Sequence, residues 1–500
     1  MSREAPSIVG LREAGAVHLP RRLDFQAIAD DLHAIQDCAA ELGAALGKDV
    51  FLPGTDGYEL ARSSLFVIDA ARRAPCCVIQ PRSTDAVSTA VRIASEHGVG
   101  VTVRGGGLSA NCAADGAVMV DLSAHLGGGQ LVGAEARIGG GARMRTLLDT
   151  LSAAGRTVPI GISPLAGLGL ATSGGIGYLT RSLGLTLDYL AAVELVVASG
   201  EVLELSDRSE GGKGSLWWGV RGSAPQFGVV VAATFRSVPG VDVFVHRLVL
   251  PLDAAAAYFE VACGLPAETS MSAVMGTPPG GEEPALFLYT AHAGADRPGV
   301  EEARQAGHQV AATGGVKPSF EDEGVFRYMA GGMPEMAPPG IDGAEPPGPE
   351  LPSPGGPRVG FRGANRFVGD LGPDAALALA ERARATPTRM CRIDFQHTGG
   401  VMRSGSEGGM SFLGRDQEWS IPLNAIWSDE ADRAACVGWI EGTLDVLDRY
   451  ALGMYSVELR PGLPDTEREV ALCFGEHLPR LRALKESWDP DNTFRGSFPL

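Results

Sequence analysis

The chain lacks a surplus of positive charge, an apolar run of membrane-spanning length and any paired-cysteine spacing, and each absence removes a class of function. A formal net charge of −18 over 500 residues argues against a surface for nucleic acid or anionic membrane. Any anionic ligand must therefore be held by local dipoles and not by the global field. The eight cysteines, at 38, 76, 77, 112, 263, 391, 436 and 473, form no C-x-x-C pair. In so long a chain they read as reduced buried thiols, not as a disulfide framework. The first 26 residues carry Arg3, Arg12, Arg21 and Arg22 without a continuous apolar stretch, so a soluble, cytoplasmic protein is expected.

Several chemical signatures are missing as well. There is no Walker pattern, and no Gly-x-Gly-x-x-Gly stands in the strand-to-helix setting of a Rossmann site. No His/Cys/Asp cluster has metal-ligand spacing, and no Gly-x-Ser-x-Gly elbow joins a strand to a helix. No metal is expected.

Glycine is what the chain has in quantity, at 68 residues, and two stretches concentrate it. One is Val103-Arg104-Gly105-Gly106-Gly107-Leu108-Ser109. The other runs from Gly161-Ile162-Ser163-Pro164 through Gly167 and Gly169 to Ser173-Gly174-Gly175-Ile176-Gly177-Tyr178. Each follows an apolar, β-branched segment and is expected to be a strand delivering bare backbone to a tight loop, where amide N–H groups converge on an anion such as a nucleotide phosphate. Structural turns explain the same glycines equally well.

With 45% hydrophobic and 20% charged residues the chain is globular, and its length calls for two or more joined lobes. Apolar spacing predicts a helix over 23–46. A short strand follows at 78–81, and Ser83-Thr84-Asp85 caps a helix that stops at Gly98. Strands are expected at 99–103, 117–122, 130–132 and 135–138, a helix over 144–154, two strands about Ser199-Gly200, and another over 229–238. Strand and helix alternate only once or twice, so an α+β lobe with mixed sheets fits better than a doubly wound sheet.

Pro81-Arg82-Ser83-Thr84-Asp85, the 103–109 loop, Gly174-Gly175-Ile176-Gly177-Tyr178 with its continuation to Asp188, Trp217-Trp218-Gly219-Val220-Arg221-Gly222, and Gln226-Phe227-Gly228-Val229-Val230 stand in one order. Together with Tyr455-Ser456-Val457-Glu458 and the 488–495 segment, they resemble berberine-bridge-enzyme-like flavoproteins of the p-cresol methylhydroxylase superfamily. The resemblance covers about residues 50–240 and 360–500. It implies a PCMH-type FAD-binding lobe and a substrate lobe built on an antiparallel sheet backed by helices, with the flavin between them. The implied division is 1–70 as an N-terminal segment on the FAD lobe, 71–240 as the FAD lobe, 241–460 as the substrate lobe, and 461–500 returning to the FAD lobe. Cofactor contacts are expected at Arg104, Gly105, Gly106, Gly107, Leu108, Ser109, Ser163, Pro164, Gly167, Gly169, Thr172, Ser173, Gly174, Gly177, Tyr178, Gly228, Val229 and Val230.

The departures from the resemblance carry their own implication. Relatives attach the flavin through a histidine where this chain has Leu108, and some add a cysteine where it has Ser163, so FAD is expected to bind without a covalent link. Such a flavin is ordinarily a weaker oxidant. The strand where relatives carry a pocket acid has Ile421 at the nearest equivalent position, which leaves Tyr455 as the matching catalytic candidate. Its phenol would need a lowered pKa to act as a base near neutrality. His397 is a pocket candidate or a hydrogen-bonded strand histidine, and Trp419 a ring-stacking wall or core. Asp416 and Glu418 share a strand face and are expected to be solvated.

A proline- and glycine-rich segment over 333–358 is expected to be a surface loop. The resulting expectation is a non-covalent FAD oxidase acting on a mostly apolar small molecule in specialised metabolism, with dioxygen as second substrate, as a monomer or homodimer. The alternatives are a redox-neutral cyclase using the inherited pocket, or a ligand-binding relative.

Overall fold

The computed structural model describes residues 25–63, 65–279, 281–336, 359–405, 409–459, 466–495 and 500. Its first lobe begins with the helix Phe25–Leu46 and a four-stranded sheet in the order Val50–Phe51, Cys77–Ile79, Val118–Asp121, Val101–Arg104. The last three strands are parallel, and the middle two are buried at every position, as a parallel strand covered on both faces must be. The crossover helix Thr84–Glu96 buries Val87, Ala90, Val91 and Ala94 at helical spacing. Ser83 caps it by accepting from the amide of Ala86 at 3.2 Å.

A second, antiparallel sheet follows, in the order Gly129–Val132, Glu135–Gly139, Val229–Phe235, Leu190–Val196, Val202–Ser206. The second glycine stretch departs from expectation because no strand of length delivers it. Only Arg156–Thr157 is extended and paired, against Val238–Pro239. Pro159 and Pro164 lack the N–H groups a longer ladder would need.

The second lobe is one eight-stranded sheet, in the order Phe320–Arg327, Asp242–Pro251, Ala285–Ala293, Thr269–Gly276, Arg392–His397, Trp419–Trp427, Gly360–Val368, Ala451–Gly453. Every neighbouring pair is antiparallel. Alternate side chains leave such a sheet on opposite faces. Leu248, Met271, Ile393, Phe395, Trp419 and Ile421 pack against residues of the helices Ala255–Cys263, Arg297–Thr313, Pro373–Arg384 and Arg433–Leu447. Val243, Val245, Tyr289, Ala291 and Phe367 belong instead to the core shared with the first lobe. The architecture is thus α+β, with the sheet's inner face turned to the glycine loops. Among the described residues no helix is long and apolar enough to cross a membrane.

The chain closes back on the first lobe through the helices Thr466–Phe474 and Leu478–Trp488. Lys485 lies within 2.6 Å of Asp489 and donates to the carbonyls of Gln226 and Phe494. Asp489 also accepts from the amides of Thr493 and Phe494, while the carbonyl of Thr493 receives the amide of Val101 at 2.8 Å. One buried ion pair therefore fastens the C-terminal turn to the strand that leads into the first glycine loop. Asp489→Ala leaves the ammonium without its counter-charge and is expected to cost about 3–5 kcal/mol, read as a lower melting temperature; an unchanged melt would refute this role.

Candidate functional site

The first glycine loop leaves the strand Val101–Arg104 and turns at Gly107, where φ is +81°, a conformation that disfavours any residue with a Cβ. Gly106 is constrained differently. A Cβ there would lie 2.7 Å from the nitrogen of Gly167 and 2.9 Å from the carbonyl oxygen of Leu165, and a Cβ on Gly167 would lie 2.5 Å from the nitrogen of Gly106. The two loops are therefore packed backbone on backbone. Among the described residues, the amides of Gly106, Gly107, Leu108 and Ser109 have no hydrogen-bond partner. Orphan donors at a glycine turn suit an anion.

Those amides border a cavity of about 380 Å³. Of the residues expected to contact the cofactor, Gly105, Gly106, Gly107, Leu108, Ser109, Ser163, Gly167, Gly169, Thr172, Ser173, Gly228 and Val230 line it. Six expected contacts do not. Arg104 turns beneath the loop to pair with Asp121 at 3.3 Å, and Val229 is core. The carbonyl of Pro164 is taken by the amide of Arg145. Gly177 is glycine because a Cβ would strike the carbonyl of Ile160, and Gly174 because one would press on Tyr455. Tyr178 leaves for the other lobe. Asn111, Gly222, Ser223 and 456–458 also line the cavity and were missed. Gly222, with φ at +137°, lies inside a motif already singled out.

The catalytic candidates are placed otherwise than the sequence suggested. Tyr455 is buried, and its hydroxyl oxygen accepts the amide of Gly175 at 2.6 Å. Burial pushes its pKa up despite the amides of Gly175 and Ile176, opposite to what a base near neutrality requires. His397 and Trp419 are paired across neighbouring strands and stacked at 4.4 Å. Trp419 belongs to the helix-backed core, so both lie on the outer face of the sheet, away from the glycine loops. Ile421 shares that face.

Glu418 is not solvated, whereas Asp416 is exposed. The buried carboxylate meets Arg181 at 2.6 Å and His397 at 2.9 Å, with Arg403 on its second oxygen. Burial opposes its charge, yet these partners hold its pKa below the ordinary range; burial pushes His397 down to about 4. Arg181, from the first lobe, also donates to the carbonyls of Leu265, Thr269 and Thr398. This cluster is a clamp between the lobes.

The inner face of the sheet has polar and aromatic groups that sequence reading passed over. Asp394 accepts from Arg392 Nε at 3.1 Å and Asn424 Nδ2 at 2.9 Å, and burial raises its pKa. Tyr178 stacks on Tyr289 at 4.3 Å, and Tyr289 donates to the carbonyl of Pro334. Burial, then the neighbouring acids Glu335 and Asp394, raise the Tyr178 pKa. Asp394 was legible only as one member of an alternating strand whose parity was unknown. Of the 333–358 segment, 337–358 lie outside the described residues.

Comparison with known proteins agrees with this geometry. The family model described as FAD binding domain matches residues 75–206, and that described as berberine and berberine like matches residues 463–497. A FAD-linked oxidoreductase of Dictyostelium discoideum is 25% identical over 461 residues, 90% of this chain and 93% of that protein. The (R)-6-hydroxynicotine oxidase of Paenarthrobacter nicotinovorans is 36% identical over 163 residues, 31% of this chain and 34% of that protein. The wild-type BBE-like 1 structure of Physcomitrella patens shares the fold with a TM-score of 0.76 at 22% identity, covering 93% of this chain and 99% of that one. The cradle that a Cβ would fill, with its orphan amides, fits the diphosphate of FAD. Gly106→Ala is expected to impose about 1–3 kcal/mol of overpacking strain and to lower the FAD content of purified protein, whereas Gly128→Ala, with open space around it, leaves that content unchanged.

Proposed function

We propose that this member of the FAD-linked oxidoreductases holds its FAD without a covalent bond and oxidises a small molecule with an apolar or aromatic body. The observation that carries the reading is the cavity wall itself. Leu108 and Ser163 both line it, at the positions where the resemblance places tethering histidine and cysteine. A leucine side chain offers no nucleophile, and Ser163 offers a hydroxyl that accepts the amide of Leu165 at 3.3 Å.

When bound, FAD would supply a two-electron acceptor that dioxygen can reoxidise. The loop amides of 106–109 would hold its diphosphate, and the lining of 167–173 its remaining length. Tyr455 acts by position, fixing Gly175 through the amide it accepts. We assign proton removal to Asp394 because it is an acid on the inner face, oriented by two donors and raised in pKa by burial. Tyr178, partly exposed and backed by the buried Tyr289, gives the substrate's apolar body an aromatic wall. Relatives that are oxidases, such as (R)-6-hydroxynicotine oxidase and chitooligosaccharide oxidase, favour net oxidation. A redox-neutral cyclase is the second reading, favoured by the missing tethers, because an untethered flavin is a weaker oxidant.

Acid precipitation of the yellow protein is expected to release the flavin into the supernatant; colour retained in the pellet would refute the non-covalent assignment. Asp394→Asn is expected to slow anaerobic flavin bleaching by substrate about 10²–10⁴-fold with FAD content unchanged. A base must be ionised, so the bleaching rate of the native protein rises with pH through a pKa above the ordinary carboxylate value, and the Asn variant loses that limb. Product of unchanged mass formed without bleaching would instead establish the cyclase.

A further inference from the structure

The outer edge of the substrate lobe gathers two imidazoles and a carboxylate from three separate elements. His246 lies on the strand Asp242–Pro251, His308 on the helix Arg297–Thr313, and Glu321 on the edge strand Phe320–Arg327. Their potential ligand atoms all fall within 4.8 Å of one another. Both Nε2 atoms point at one oxygen of Glu321, from 3.0 Å for His246 and 2.6 Å for His308. The rings meet edge to face, at 83°, so their nitrogens converge without stacking. The other oxygen of Glu321 has no hydrogen-bond partner among the described residues.

The neighbouring acid shows that Glu321 is set apart. Glu323 follows on the same face of the edge strand and is occupied by a two-pronged bond from Arg304, at 2.6 and 2.9 Å. No arginine or lysine among the described residues pairs with Glu321; the two histidines take that place. His246 is fully buried, while His308 and Glu321 are exposed, so one side of the cluster is anchored and the other opens to water.

We infer that His246, His308 and Glu321 form a binding site for a divalent transition-metal ion, with zinc the best match. Two imidazole nitrogens and one carboxylate oxygen with an open fourth position is a zinc-type donor set. Calcium and magnesium require more oxygen ligands than the cluster offers. An ion there would tie the sheet's edge strand to its neighbour and to the covering helix. That strand runs directly into Tyr328, whose hydroxyl accepts the amide of Ile160 at 3.1 Å, so the tie would steady the segment abutting the second glycine stretch. Nδ1 of His246 has no hydrogen-bond partner among the described residues. It lacks the outer acceptor that usually fixes a metal-binding imidazole, so micromolar affinity is expected and zinc must be added rather than sought in the purified protein.

The test is calorimetric titration of the full-length, FAD-loaded, chelator-treated protein with zinc chloride, and then with magnesium chloride, alongside thermal melts. One zinc per chain, a melting temperature that rises with zinc and no response to magnesium are expected. His308→Ala and Glu321→Gln alter exposed side chains, so both should retain FAD and the native melt without metal. Each should weaken zinc binding by more than the roughly 100-fold that loss of an outer-shell partner costs. Absence of stoichiometric uptake by the native chain, or uptake unchanged in both variants, would overturn the site and leave the cluster a hydrogen-bonded bridge.

Discussion

The close approach of Gly106 and Gly167 is the constraint on which the rest of the first lobe depends. With nitrogen and Cα atoms where a Cβ would stand, the two loops can meet only as bare backbone. Four consecutive residues, 106–109, line a cavity, and their amides have no hydrogen-bond partner among the described residues. Glycine loses more entropy on ordering than any other residue, so the surrounding strands must supply the order. The amide of Met144 bonds the carbonyl of Ala166, and the amide of Phe66 bonds the carbonyl of Gly107. Each loop is thereby pinned by an element outside it.

A site between two lobes also needs the lobes held in register and the closing segment fixed, and three contacts do this differently. Arg181 crosses the interface to Glu418 and to three carbonyls. Tyr455 reaches from the end of the substrate lobe to the amide of Gly175. Lys485 and Asp489 then lock the closing turn beneath the first glycine loop. Breaking one buried ion pair costs more than forming it gains, because the remaining charge is stranded. These pairs are therefore better understood as fixing the arrangement than as adding stability.

Local chemistry was the legible part of the sequence. The Ser83 cap, the helix Thr84–Glu96, the strands near 77–79, 101–104 and 118–121, and the glycine cradle follow from neighbours in the chain, and the resemblance supplied the two-lobed plan. Strand parity was not legible. Reading Phe395-Gln396-His397 gives alternation without saying which set faces inward, and register with the flanking strands puts His397 outside and Asp394 inside. Glu418 was misjudged for a related reason, since its partners at 181, 397 and 403 come from separate elements. The cluster of His246, His308 and Glu321 shows the same limit: no spacing rule connects residues that meet only when a strand edge and a helix pack. Pro159 and Pro164, by contrast, were visible and should have argued against a strand before the second loop.

The charge balance poses a last question, because a chain of net charge −18 must favour an anionic cofactor at one place. Arg104 does not face the cavity; its charge is matched by the buried Asp121. Arg143 behaves differently. Its backbone bridges to Gly167, its side chain has no ion pair among the described residues, and burial together with Arg104 and Arg145 lowers its pKa. Arg104 and Arg145 are thus near enough for their charges to act on Arg143, while the loop amides present the short-range, directional donors. Partly buried charge is screened far less by salt than surface charge. A cradle of bare amides therefore suits a diphosphate despite the overall negative charge, because directional N–H donors do not depend on a neighbouring salt bridge.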